Sequence, residues 1–234
     1  MIEFGHATHV GLRRAHNEDT YWADGALGLW LVADGMGGHE HGEVASAIAR
    51  DTLVREVGAG RDLTDAVRRA DEAIIALSNK RSEALPMGTT IAVLRVQDRN
   101  YDVAWVGDSR VYLWQNGALK QLSQDHSYVQ ELVTQGAISA EQARNHPHRN
   151  MVTQALGITS PQELRVETRQ GMLEPGMQFL LCSDGLTEEV EDDAIARVLA
   201  REELAAQECV EHLVLAALDG GGSDNITVLL VRVR

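Results

Sequence analysis

The sequence predicts an α+β fold in which sheets pack face to face and helices lie outside them. Three observations carry this expectation. Strand-like segments come in groups rather than singly. Helical segments come in two pairs, at 41–57 with 63–80 and at 191–199 with 202–217. A regular strand–helix–strand alternation, which a doubly wound parallel sheet requires, is missing.

The elements follow in order. Residues 3–10 and 27–33 read as strands, the second a nearly continuous apolar run of the kind buried on both faces, and a short strand is expected at 20–23. Between 41 and 57 the spacing turns helical, with Val44, Ala45, Ile48, Ala49, Leu53 and Val57 on one stripe. Leu63, Ala66, Val67, Ala70, Ile74 and Leu77 repeat that period over 63–80, with Asp62 placed to cap the helix start. Residues 89–96, 101–107 and 110–114 are rich in β-branched and aromatic side chains. Asn116-Gly117 is a strong hairpin signal and joins 110–114 to a strand near 119–122. From 127 to 157 the pattern is irregular and polar with short helical pieces, as in an inserted flap. Strands are expected again at 164–169 and 177–182, and a last one at 226–233.

Length and composition fit a single domain over 1–234. The formal charge of −14 argues against a nucleic-acid or anionic-membrane surface, and no apolar run reaches the roughly 18 residues of a spanning helix. The start MIEFGHATHVG lacks the basic and apolar regions of a secretory signal, and Cys182 and Cys209 form no disulfide framework, so a cytoplasmic setting is expected. Neither cysteine has an arginine six residues on, which excludes the phosphate loop of cysteine-nucleophile phosphatases.

Acids recur where apolar strands stop. Asp34 follows LWLVA, Asp108 follows VAWVG, Asp184 follows FLLCS, Asp224 precedes ITVLLV, and Glu18-Asp19 precedes the strand at 20–23. Each alone reads as a turn former. Together they can converge at one end of a sandwich, where so many carboxylates stay ionised only beside a compensating cation. Oxygen ligands select hard ions such as Mg²⁺ or Mn²⁺, and HEHGE has no zinc spacing. On this reading Asp34 binds metal and the metal binds phosphate, while the glycines after it let the Gly35 carbonyl face the ion. Arg14, four residues before Glu18, supplies the planar fork that suits a phosphoryl group.

GLRRAHNED, VADGMGGHEHGEVAS, MGTT (87–90), VGDSR (106–110), SDGLTE (183–188) and GGSDNITV (221–228) resemble, in order, the motifs of bacterial metal-dependent protein phosphatases of the PP2C (PPM) family. The resemblance implies an α-β-β-α sandwich, with two central antiparallel sheets flanked by helix pairs, and a binuclear Mn²⁺ or Mg²⁺ centre. It implies that Asp34 bridges the ions, the Gly35 carbonyl completes one, and Asp184 and Asp224 bind the other. Glu18 and Asp19 match residues that hold metal-bound waters, Asp108 with Asp184 matches a third, weaker site, and Arg14 matches the phosphate-binding arginine. Two departures stand out. His9 replaces an aspartate common before G-x-x-R, and Met36 takes the place of the general-acid histidine of eukaryotic members, leaving His39 as the candidate substitute.

The implied reaction is hydrolysis of phosphoserine and phosphothreonine in proteins by a metal-activated water. The implied setting opposes a Hanks-type kinase, with forkhead-associated proteins and secretion-system regulators among such enzymes' targets. A monomer is the simplest expectation. A phosphoprotein-binding relative without activity should have lost Asp34, Asp184 or Asp224, and all three are present. A hydrolase of nucleotides or sugar phosphates is the other alternative.

Overall fold

Alternation along the central strands sets the layering. In the computed structural model, which describes residues 1–37, 41–80 and 87–234, Leu29–Ala33 are fully buried on both faces. Leu29, Leu31 and Ala33 join one hydrophobic cluster and Trp30 and Val32 another. A strand with period-two side chains can do this only when something packs on each side.

The first sheet has the order β1-β11-β10-β7-β8, from β1 (Ile2–His9), β7 (Arg110–Gln115), β8 (Ala118–Gln121), β10 (Gln178–Cys182) and β11 (Ile226–Val233). The second has the order β2-β3-β5-β6-β9, from β2 (Asp19–Asp24), β3 (Leu29–Met36), β5 (Ile91–Gln97), β6 (Asn100–Val106) and β9 (Glu167–Met172). A short β4 (Gly88–Thr89) also pairs with β3, and every pairing is antiparallel.

Trp30, Leu94, Val103, Phe179, Leu181 and Val231 fill the space between the sheets. Outside the second sheet lie α1 (His41–Gly58) and α2 (Leu63–Lys80), whose Ala45, Ala49, Leu53, Val67 and Ile74 pack with Leu29, Leu31 and Val93. Outside the first lie α5 (Asp184–Thr187), α6 (Asp192–Leu199) and α7 (Ala206–Gly220), packing Ile195, Val210 and Leu213 against Leu180, Val228 and Leu230. The result is the expected four-layer α-β-β-α sandwich.

Local chemistry fixes the details. Asn116 and Gly117 have φ of 53° and 75°, and Gln115 pairs with Ala118 across this two-residue turn, as the hairpin signal predicts. The 127–157 segment holds α3 (Tyr128–Thr134) and α4 (Ala140–Arg144). Ser127 caps α3 by accepting from the Gln130 N–H, and Ser139 and Gln142 form a reciprocal capping box on α4. Two element starts differ from the sequence reading by more than two residues. β9 begins at Glu167 rather than 164, because Leu164 is a buried anchor that packs beneath α1 and α2. α7 begins at Ala206 rather than 202, where the Glu208 carboxylate accepts the Ala205 N–H at 2.8 Å and stops the helix from extending backward.

Candidate functional site

The β2–β3 register sets Asp19 directly opposite Asp34. Like charges facing each other across a ladder repel. Alternation along β3 puts Asp34 on the same face as Trp30 and Val32, so its carboxylate emerges at the end of the space between the sheets. The backbone there is firmly held: Thr90 Oγ1 accepts the Asp34 N–H at 3.1 Å, and Thr89 Oγ1 donates to the Asp34 carbonyl at 2.9 Å. Gly35 follows, and a Cβ on it would lie 2.2 Å from the Gly42 carbonyl oxygen, so only glycine lets α1 approach the strand end this closely.

Other strand ends bring the remaining acids. Asp184 begins α5 after β10, and Asp224 stands two residues before β11. Asp108 lies in the turn between β6 and β7, after Gly107 with φ of 101°. Arg14 crosses 210 residues of sequence to pair with Asp224. Arg14, Glu18, Asp34, Asp108, Asp184 and Asp224 line one cleft of about 980 Å³, together with Gly35. Asp19 lies behind that wall, buried, where Ser183 Oγ and Thr227 Oγ1 each donate to its Oδ2 at 2.7 Å. His39 lies outside the described residues.

The electrostatics ask for a cation. Burial first, then the charges of Asp19, Asp184 and Asp108, hold the Asp34 carboxyl well above the usual range. Asp108 is raised in the same way, by burial and then Asp184. Asp19 and Asp184 are each pushed up to about 6, chiefly by burial, with Asp224 adding to both. Asp19 Oδ1 and Asp184 Oδ1 are buried without hydrogen-bond partners among the described residues. Anionic oxygens left unsatisfied in this way fit a hard divalent ion. Among the described residues no three His, Cys, Asp or Glu side chains enclose a single ion by themselves, so backbone carbonyls and water would have to complete its shell.

A pH dependence follows. The folded chain holds the Asp19 and Asp184 protons more tightly than the unfolded chain does. The stability this contributes is full below the unfolded carboxylate range and is lost as pH rises through about 6. In EDTA, Tm should therefore fall between about pH 4 and about pH 7, and excess Mn²⁺ should flatten or reverse the slope by competing for the same oxygens. Thermal melts across that range, with and without Mn²⁺, check it; parallel slopes would count against a cation site here.

A sequence profile described as protein phosphatase 2C matches residues 13–213. The chain belongs to the protein phosphatase 2C family. This family member is 37% identical over 239 positions to the serine/threonine protein phosphatase PstP of Mycobacterium tuberculosis, a match covering 100% of the chain and 45% of that protein. It is 36% identical to the serine/threonine phosphatase stp of Listeria monocytogenes, covering 96% of the chain and 93% of that protein. It thus spans less than half of the mycobacterial relative. The solved catalytic domain of PstP, in complex with two manganese ions, superposes with a TM-score of 0.88 at 32% identity, covering 100% of this chain and 99% of that one.

Several site residues of this phosphatase-family chain lie within the quoted motifs but have no role that the sequence alone assigns. Asn225 ties the N-terminal loop to the cleft: its Oδ1 accepts the Glu18 N–H at 2.8 Å, and its Nδ2 donates to the carbonyls of Val10 and His16 at 2.8 and 2.9 Å. Ser183 and Thr227 orient Asp19, and Thr90 orients Asp34. Their signal was adjacency, since each neighbours an acid or a strand end already singled out. His16, Asn150, Met151 and Val152 also line the cleft and carry no such mark.

Proposed function

We propose that this chain is a metal-dependent protein serine/threonine phosphatase that hydrolyses phosphoserine and phosphothreonine in proteins. The observation that carries this reading is the pairing of buried Asp19 with half-buried Asp34 beside Asp184 and Asp108, an arrangement that makes sense around divalent ions. The family match and the two manganese ions of the PstP catalytic domain support it.

Asp34, the Gly35 carbonyl, Asp184 and Asp224 would hold two Mn²⁺ or Mg²⁺ ions, and Asp108 with Asp184 would hold a third, weaker one. Bound there, such ions supply Lewis-acid charge and lower the pKa of water. The residues of the chain do the rest. Arg14, on a loop pinned by Asn225, exchanges its contact with Asp224 for the phosphoryl oxygens and orients them for in-line attack. Glu18 and Asp19 orient water, with Asp19 fixed by two hydroxyls. A covalent phosphoenzyme is not required, and the buried Cys182 thiol, pushed up to about 12 by burial, is no nucleophile. We assign the protonation of the leaving alkoxide to His39 as the sequence's candidate. The biological setting we infer is opposition to a Hanks-type kinase, with forkhead-associated proteins among the targets.

Purified protein should hydrolyse p-nitrophenyl phosphate and phosphothreonine peptides with Mn²⁺ and stop in EDTA. Preference for nucleotides or sugar phosphates would favour the small-molecule alternative instead. Arg14→Ala should raise KM by about ten- to a hundred-fold, as the loss of a charged, forked contact implies. Mn²⁺ affinity should hold; an unchanged KM with weakened Mn²⁺ binding would contradict the role given to Arg14.

A further inference from the structure

The buried Tyr112 hydroxyl, outside the cleft, is held in one direction. On β7, with the residue 1% exposed, this oxygen accepts from Arg110 Nη1 at 2.9 Å and donates to Asp192 Oδ1 at 3.1 Å. A guanidinium only donates and a carboxylate only accepts, so the hydroxyl proton has one place to go. One end of this relay stands at the root of the 127–157 flap and the other reaches into it. At one end, Arg110 forks onto Asp125 just before the flap begins, with Nε at 3.0 Å and Nη2 at 2.7 Å. At the other, Arg144 of α4 meets the start of α6, with Nη1 2.9 Å from Glu191 Oε1 and Nη2 3.7 Å from the same Asp192 Oδ1.

That second contact ties α4 to the body of the protein. α4 buries none of its residues, and among the described residues Arg144 makes its only side-chain polar contacts outside the flap. The chain then returns through Asn150, Met151 and Val152, which line the cleft. An exposed ion pair is weak alone because two long side chains must be ordered. Here one of the two acids that face Arg144, Asp192, is already oriented from within the protein, while Glu191 takes the shorter contact. We propose that the Tyr112 hydroxyl is the joint that sets the flap over the cleft, which makes Tyr112, Asp192 and Arg144 positioning residues for the substrate polypeptide. A groove of about 350 Å³ beneath α4 shares Asp108, Asn150 and Asp184 with the cleft, so a shift of the flap reshapes the path beside the phosphoryl position.

The kinetic arm of the test rests on the phosphatase reading; the exchange arm does not. Tyr112→Phe and Arg144→Ala would be made singly and together in the full chain. Amide hydrogen exchange over 140–150 should quicken by about five-fold in each, the factor for one lost hydrogen bond, and the double variant should exchange no faster than the faster single one. The Tm of Arg144→Ala should not move, which separates positioning from general destabilisation and covers the case where Tyr112→Phe folds poorly. KM for a phosphothreonine peptide should rise about three-fold with kcat held, while KM for p-nitrophenyl phosphate, too small to reach α4, stays put. Unchanged exchange in Arg144→Ala, or strictly additive effects in the double variant, would overturn the joint. If neither substrate is hydrolysed, the phosphatase reading fails and the exchange data still decide this one.

Discussion

Asp34→Asn is expected to lower kcat/KM for p-nitrophenyl phosphate by about a thousand-fold or more at saturating Mn²⁺. The side chain keeps its size. The bonds that fix its backbone, to Thr89 and Thr90, involve no carboxylate oxygen, so the strand end should be unaltered. What goes is one negative charge at the point where Asp19, Asp184 and Asp108 all act on it. The same loss has an opposite effect on the fold. In the metal-free protein that charge is repelled and half-buried, so the asparagine variant should melt at higher temperature than the parent near neutral pH. Its rise in Tm on adding Mn²⁺ should shrink if Asp34 is the ligand proposed above. Loss of activity together with a more stable metal-free protein is hard to produce by misfolding. Turnover near the parent's would refute the bridging role.

The acids could be read from the sequence because aspartate is conspicuous at the end of an apolar strand. LWLVAD, VAWVGD and FLLCSD each break a β pattern with a residue that is costly to bury, and the fold brings all three to one cleft. The helix stripes of α1 and α2 were equally plain, because tertiary packing follows the 3.6-residue period. β9 was not. It is an edge strand, paired to β6 alone, and its Glu167, Thr168, Arg169 and Gln170 carry no apolar alternation. The apolar residues just before it, Leu164 and Val166, pack instead into the helix-side core. β4 has two residues, too few for any period. Asn225 and Thr227 looked like ordinary turn and strand residues, since their roles exist only through partners about 200 residues away. The Arg110–Asp125 pair was hidden for the same reason: nothing local marks which arginine is folded inward.

That pair carries the largest expected effect on stability. Arg110→Ala should cost about 3–5 kcal/mol of unfolding free energy, the range for breaking a buried ion pair from one side. Asp125, its side chain 9% exposed, receives both Nε and Nη2 of Arg110, and without them keeps Gln121 Nε2 at 2.7 Å as its remaining side-chain donor. The Tyr112 hydroxyl would lose the donor that fixes its direction. Most of the cost thus comes from a carboxylate left without its cation, not from the attraction between the two. The double variant Arg110→Ala/Asp125→Ala should accordingly recover much of the loss, with a strongly non-additive cycle in urea unfolding. A single-variant cost below about 1 kcal/mol would mean that Asp125 finds water or another donor when Arg110 is gone. A double variant no better than the single would put the cost in lost packing of the arginine stem, and the arginine of VGDSR would then act as a filler of space beside Tyr112 rather than as the counter-charge at the root of the flap.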